Sequence, residues 1–313
     1  MPSYHVCYTS KVKQAQSVYK AFFGFKEDPF SLSPDPAFLY RSEQHEEALS
    51  NLIYGVQARK GFIVLTGEVG TGKTTMLECL RDYLYEQSIE FAFLFNSRIN
   101  SDQFFEMMAY DFDLRCTRTS KTEVLVELNQ MLLGQAEKGS TGVLIVDEAQ
   151  NLEWEVLEEI RLLGNLENRH GKLLQIIMAG QPEFDRKLDA PNLRQLKQRI
   201  VLRYNLNPFS EADTIRYINS RFTKAGIPEQ VIFPAEIMQE IHKRTQGIPR
   251  VINAFCDNLL LTCFADAAKS ATPEMLDDVS SDMRLEWPGR HARGNRSRYS
   301  DSPLEQTSFT GRE

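Results

Sequence analysis

Cysteine is scarce in this sequence, with five in 313 residues. Cys7, Cys79, Cys116, Cys256 and Cys263 form no C-x-x-C pair and no zinc-ligand spacing, and an odd count does not suggest a secreted disulfide framework. A reduced, cytoplasmic compartment is expected. Cys256 and Cys263 lie seven apart in a helical stretch, about 10 Å along the axis, too far for a disulfide, so both are expected as core thiols. Long apolar runs are also missing. None approaches the roughly 20 residues that span a bilayer; the longest are strand-sized, Leu173 to Gly180, or broken by polar residues, Leu259 to Ala268. Met1 to Lys20 is mostly polar and lacks a signal peptide's apolar centre. Net positive charge is absent too: 36 basic residues stand against 43 acidic ones, a net of −7. That balance argues against a chain dominated by electrostatic nucleic-acid binding and leaves room only for a local basic patch. The last thirty residues carry six arginines against four acidic residues, +2, so residues 1–283 carry −9. Solenoid-period repeats are absent, and His45, in His45-Glu46-Glu47-Ala48, lacks the second histidine of a zinc helix.

What is present is enough apolar content, 42%, for an ordinary core, and enough length for about two domains. Short runs rich in β-branched or aromatic residues recur at Phe62–Thr66, Phe91–Asn96, Gly142–Glu148, Leu174–Gly180 and Ile200–Leu206. Most are apolar on both faces, as a parallel sheet covered on both sides by helices requires. Between them lie helical spacings, such as Leu125, Leu128 and Leu132, then Leu152, Val156, Ile160 and Leu163. After Pro208 strand signals give way to helix punctuation: Ser210 with Asp213, Gly226 then Pro228, Pro234, Pro249, and Thr272 with Pro273. From Trp287 onward the chain is rich in Arg, Ser and Gly and too poor in apolar residues to offset its ordering entropy. The expected plan is an α/β domain with a parallel sheet over residues 19–207, a small all-α lid over 208–284, an extension at 1–18 and a disordered Arg-rich tail at 285–313.

The decisive motif is Gly67-Glu68-Val69-Gly70-Thr71-Gly72-Lys73-Thr74, G-x-x-x-x-G-K-T, between the strand Phe62–Thr66 and the helical stretch Thr75–Tyr85. Glycines let backbone N–H groups wrap around phosphate oxygens, and the following helix offers unpaired N–H groups and the positive end of its dipole. Lys73 is expected at the β- and γ-phosphates and Thr74 on Mg²⁺. Some seventy residues on, the apolar strand from Gly142 ends in Asp147 and Glu148. Asp147 is expected to hold Mg²⁺ through water and Glu148 to polarise the attacking water. Gln181, at the tip of the run Leu174–Gly180, has two open readings: a contact to the γ-phosphate or water, or a loop-capping amide. Arg194 and Arg199, just before the last strand, read by spacing alone as solvated. Arg250, in Gly247-Ile248-Pro249-Arg250, sits near a helix N-terminus, an unfavourable place for a cation unless an anion lies close.

These motifs resemble the AAA+ ATPases of the general secretion pathway protein A type, also called the ExeA family. The resemblance runs over roughly residues 19–283: Tyr19, Phe22-Phe23-Gly24, Pro29-Phe30, Asp35-Pro36, Phe38-Leu39-Tyr40, His45, Ala48-Leu49 and Tyr54-Gly55, then the loop Gly67 to Thr75. It continues through Asp147-Glu148-Ala149-Gln150, Leu163-Gly164-Asn165-Leu166-Glu167, Gly180-Gln181-Pro182-Glu183 and Gly247 to Asn253. It implies a P-loop NTPase sheet with a helical lid, ATP and Mg²⁺ as cofactors, and an oligomer with shared sites. It also implies Gln181 as the sensor at the γ-phosphate, Arg250 as the lid arginine, and Arg199, ahead of Arg194, as the arginine finger given to a neighbouring subunit. Phe30, Tyr40 and His45 become candidates for the adenine pocket, with core aromatics the competing reading of Phe30 and Tyr40. Residues 1–18 have no counterpart in the pattern. The family's transmembrane helix and peptidoglycan-binding part are not carried over, because the chain continues here into the Arg-rich tail. Two roles follow: a cytoplasmic motor or switch for an envelope secretion, pilus or exopolysaccharide export system, peripheral to the inner membrane through protein partners, or an ATP-dependent DNA-binding regulator of the transposition-helper type. Acidic net charge favours the first and the tail arginines the second.

Overall fold

In chain order the strands are β1 (Phe62–Gly67), β2 (Phe91–Leu94), β3 (Gly142–Val146), β4 (Glu167–Asn168), β5 (Gly171–Lys172), β6 (Leu174–Gly180) and β7 (Ile200–Leu206). The helices are α1 (Lys20–Phe23), α2 (Glu43–Gln57), α3 (Lys73–Glu86), α4 (Ser101–Asp111), α5 (Lys121–Glu137), α6 (Trp154–Leu163), α7 (Pro182–Leu188), α8 (Arg194–Arg199), α9 (Glu211–Lys224), α10 (Ala235–Thr245), α11 (Pro249–Ala265) and α12 (Pro273–Asp282). This computed structural model describes residues 19–31, 40, 42–95, 98–117, 120–169, 171–227 and 232–285. The expected extension at 1–18 and all but the first residue of the expected tail lie outside them.

Five strands form one parallel sheet in the order β2-β3-β6-β1-β7. The three inner strands β3, β6 and β1 are buried along their whole length, as runs with no polar face must be. Their alternating side chains feed two cores. Val64, Leu144, Val146, Ile176 and Met178 face a layer containing Phe104, Leu128, Leu132, Val156 and Ile160. Ile63, Leu65, Val143, Ile145 and Ile177 face Leu52 and Val56 of α2 and Leu77 and Leu80 of α3. The outer strand β7 alternates between exposed and half-buried positions until Leu206, so the two-sided apolar pattern holds for the inner strands only. Because all strands are parallel, Gly67, Leu94, Val146, Gly180 and Leu206 end at one edge, and the loops leaving that edge carry the candidate site.

Three departures from the sequence reading have local causes. β3 stops at Val146 because Glu148 turns into the left-handed region (φ 52°, ψ 40°), which no strand continues through. α3 begins two residues before the expected Thr75, at Lys73, directly on Gly72. A hairpin of β4 and β5, unforeseen because two-residue strands carry no periodicity, precedes β6.

A third core, in the lid, is aromatic. Ile218, Phe222, Ile241, Phe255, Leu259 and Cys263 from α9 to α11 pack with Tyr19, Phe23, Phe25 and Phe30. Phe30 packs edge-on to Phe222 with centroids 5.3 Å apart, and Phe25 stacks on the same ring at 5.9 Å. The Tyr19 hydroxyl donates to Asp257 on α11, and the Lys269 ammonium sits 3.5 Å from the centre of the Phe22 ring. Residues 19–30 therefore pack with the helical lid, although the expected division groups them with the sheet that follows them in sequence. Cys256 and Cys263 are buried thiols, as their helical spacing predicts.

Candidate functional site

The loop between β1 and α3 closes on itself through glycine. Gly70 (φ 83°) and Gly72 (φ 103°) occupy the left-handed region that side chains disfavour. Thr71 is fully buried and turns its hydroxyl back to Glu68 O at 2.9 Å, while Val69 is exposed at the loop tip. Lys73 opens α3 with its ammonium buried, donating to Gly67 O at 2.7 Å and to Glu68 O at 2.9 Å. Burial lowers its pKa, and the carboxylates of Glu148, Asp147, Glu68 and Glu183 oppose that shift. Thr75 follows on the first turn of the helix.

The strand-end acids come to the same place. The Thr74 hydroxyl donates to Asp147 Oδ2 at 2.7 Å, joining residues 73 positions apart. Asp147 is buried, its Oδ1 accepts the Glu148 N–H at 2.8 Å, and burial raises its pKa against the pull of those hydrogen bonds and of Lys73. A hydroxyl and a carboxylate, two hard oxygen donors converging beside the phosphate loop, fit Mg²⁺. Among the described residues no group of three His, Cys, Asp or Glu side chains could hold a metal by itself.

Glu148 points its carboxylate at amides. Its Oε2 accepts from Gln181 Nε2 at 3.2 Å and from Gln150 Nε2. Gln181 stands at the tip of β6 as the N-cap of α7, with no capping hydrogen bond from its side chain. Gln150, known at the sequence level only as part of a matched motif, accepts the Gln181 N–H on its Oε1 at 3.1 Å. Its only signal in the sequence is a polar residue two positions past Glu148.

The lid reaches the loop at Gly70, where Ile248 and Arg250 lie against it. The Arg250 N–H donates to Gly70 O at 3.2 Å, and a Cβ on Gly70 would fall 2.8 Å from the Arg250 Cβ. The Arg250 side chain is exposed at the start of the 17-residue α11, beside the loop. Arg199 is elsewhere. It ends α8 just before Ile200, which pairs with Phe62 at the opposite end of β1 from Gly67. Five strand steps put about 17 Å between the two ends, beyond the reach of an arginine side chain. Arg199 instead donates to Arg161 O at 3.0 Å, and Arg194 is exposed on the first turn of α8.

The three aromatic candidates for an adenine pocket separate. Phe30 has no exposed surface and belongs to the lid core. Tyr40 packs on Phe209 and Tyr217 at 5.6 and 5.7 Å, also as a core contact. His45 supports the phosphate loop from behind. Its Nε2 lies 3.2 Å from Thr71 O, which can only accept, so Nε2 carries the proton and Nδ1 accepts from the Ser42 hydroxyl at 2.6 Å. Burial lowers its pKa, which keeps the ring neutral. The same ring packs on Phe209 at 5.4 Å, and Phe209 donates its N–H to Gly247 O at the base of the lid.

A glycine loop on a strand-to-helix turn, its lysine, and a strand-end Asp-Glu pair beneath a helical lid define a P-loop NTPase of the AAA class. A family model described as an AAA domain matches residues 56–188. The chain belongs to the AAA+ family related to general secretion pathway protein A: it is 43% identical over 249 residues to General secretion pathway protein A of Aeromonas hydrophila, covering 79% of this chain. The chain spans 45% of that relative's length. Among solved structures it is similar to Cdc6p from Pyrobaculum aerophilum, with a TM-score of 0.64 at 20% identity over 82% of this chain and 71% of the other. It is similar to Drosophila ORC bound to DNA, with a TM-score of 0.63 at 17% identity over 91% and 71%. The RuvB Holliday junction branch migration motor of Thermotoga maritima gives 0.52 at 14% identity over 79% and 70%. At these identities the likeness is one of fold alone. Among the described residues no helix is long and apolar enough to cross a membrane.

Proposed function

We propose that this chain hydrolyses ATP with Mg²⁺ and works as a motor or switch for an envelope secretion, pilus or exopolysaccharide export system. The observation that carries the hydrolytic reading is the Thr74–Asp147 hydrogen bond, which joins the phosphate loop to the strand-end acids. In this reading Lys73 and the loop N–H groups would hold the β- and γ-phosphates, and Thr74, with Asp147 through water, would hold Mg²⁺, which would supply charge neutralisation at the phosphates. Glu148 takes a proton from the attacking water, and Gln181 donates to the γ-phosphate or that water. Arg250 contributes from the lid, and Arg199, too far from its own loop, serves a neighbouring protomer in an oligomer with shared sites. The export role rests on the similarity to the Aeromonas hydrophila protein.

Steady-state ATP hydrolysis across protein concentration, with Glu148→Gln as blank, tests this reading. Specific activity is expected to rise with concentration, and Glu148→Gln to keep nucleotide binding while losing turnover by about a thousandfold, the scale of a general base. Turnover unchanged by Glu148→Gln removes that residue from its role, and constant specific activity in a protein measured as monomeric defeats the shared site. A duplex-DNA arm addresses the second reading, a DNA-binding regulator, which the six arginines of the last thirty residues favour. Stimulation by DNA moves the assignment there, and no DNA retention even at low salt with ATP present removes it.

A further inference from the structure

Gln150 sits in the middle of the short 3-10 turn Ala149–Asn151 that follows the strand-end acids. The main chain of that turn is secured without its side chain. Asn151 N–H donates to Glu148 O at 2.9 Å, Leu152 N–H donates to Ala149 O at 3.2 Å, and the Lys187 ammonium, from α7, donates to Gln150 O at 3.0 Å and also to Leu152 O. The side-chain amide is thus left to bridge: Nε2 donates to the Glu148 carboxylate, and Oε1 accepts the Gln181 N–H at 3.1 Å. Room for that bridge exists because residue 180 is glycine, where a Cβ would lie 3.0 Å from Gln150 Oε1 and 2.9 Å from Phe184 Cβ. Gln181 closes the ring with its own side chain on Glu148.

We propose that Gln150 is a positioning residue for turnover, tying Glu148 to the β6–α7 turn so that the water-activating carboxylate and the Gln181 amide are held as one unit beside Lys73. This rests on the reading of the site as an ATPase. A hydrogen bond from a neutral amide to a carboxylate fixes the carboxylate's direction, and a general base misaligned by a fraction of an ångström loses rate without losing substrate.

The test uses the full chain and three readouts: kcat for ATP, nucleotide Kd, and hydrogen exchange at the Gln181 backbone amide. Gln150→Leu fills a similar volume without donor or acceptor, and the main-chain bonds above keep the turn. It is expected to lower kcat about tenfold or more, leave nucleotide Kd within about twofold, and speed exchange at the Gln181 amide. Gln150→Glu keeps the acceptor for Gln181 but sets a second carboxylate against Glu148, so kcat falls further while Gln181 stays protected. On a Glu148→Gln background, Gln150→Leu is expected to add no further loss. A kcat unchanged by Gln150→Leu in an active wild type, or kcat and Kd falling together, overturns the proposal. A wild type without ATP turnover sinks the ATPase reading instead, and unaltered exchange at Gln181 then overturns the tie on its own.

Discussion

The sheet and the lid are built from different materials. The inner strands bring aliphatic side chains to two cores, and the candidate site residues stand where those strands stop. The lid has a core crowded with phenylalanine and tyrosine, holds residues 19–30 as part of itself, and offers the site one helix end at Arg250. The chemistry therefore depends on the sheet for geometry, and on the lid through a few contacts: Arg250 N–H to Gly70 O, the Phe209 and Gly247 pairing, and His45 between Phe209 and Thr71.

That contrast is open to breaking. The largest effect is expected from Phe30→Ala, which removes a fully buried ring from the lid core and is expected to cost about 3–5 kcal/mol of stability. Denaturation followed by near-ultraviolet circular dichroism checks it; a loss under about 1 kcal/mol would mean that the N-terminal segment is not part of the lid core. Next, Lys73→Ala is expected to weaken nucleotide binding by about a hundredfold through loss of a charge-assisted phosphate contact, read by calorimetry, with the sheet left intact. Gly70→Ala is expected to be milder, about 1–2 kcal/mol, because it combines a left-handed backbone with a methyl pressed onto Arg250. Its signature is a lower melting temperature with weaker nucleotide binding, and unchanged values for both would disconnect loop from lid.

The smallest effect concerns His45. Burial holds its folded pKa below the ordinary histidine value of 6.5, so the unfolded chain binds a proton that the folded one refuses. Stability from this group is present above pH 6.5 and is lost as pH falls from there toward the lowered folded value. His45→Gln is expected to flatten the melting temperature between about pH 7.5 and 5.5 relative to wild type. Parallel curves would show that burial does not hold the histidine neutral in the folded chain.

Much of this was legible before any fold was known, because strands buried on both faces must be written as uninterrupted apolar runs. β6 and β7 begin and end at the expected residues, and β1 differs only by including Gly67. The phosphate loop was legible for the same kind of reason, since glycines and lysine at fixed spacing between a strand and a helix have few other uses. Asp147 and Glu148 were legible as acids at a strand end. Phe30 and Tyr40 were not resolved by sequence, because an aromatic residue looks the same whether it stacks on a base or on Phe222 and Phe209. The His45 support and the Gln150 bridge were hidden for another reason: hydrogen bonds between residues 26 and 31 positions apart leave no local period to read.

By itself, then, the sequence determined the inner strands and the glycine loop and marked the candidate side chains, because these follow from local periodicity and from chemistry at fixed spacing. Only the tertiary structure decided which strand lies beside which, that residues 19–30 belong with the lid, that Arg199 stands at the far end of the sheet from its own phosphate loop, and that Glu148 is held by two amides. These are set by packing between distant segments, where the winning arrangement is the one that buries each apolar face and satisfies each buried polar group together.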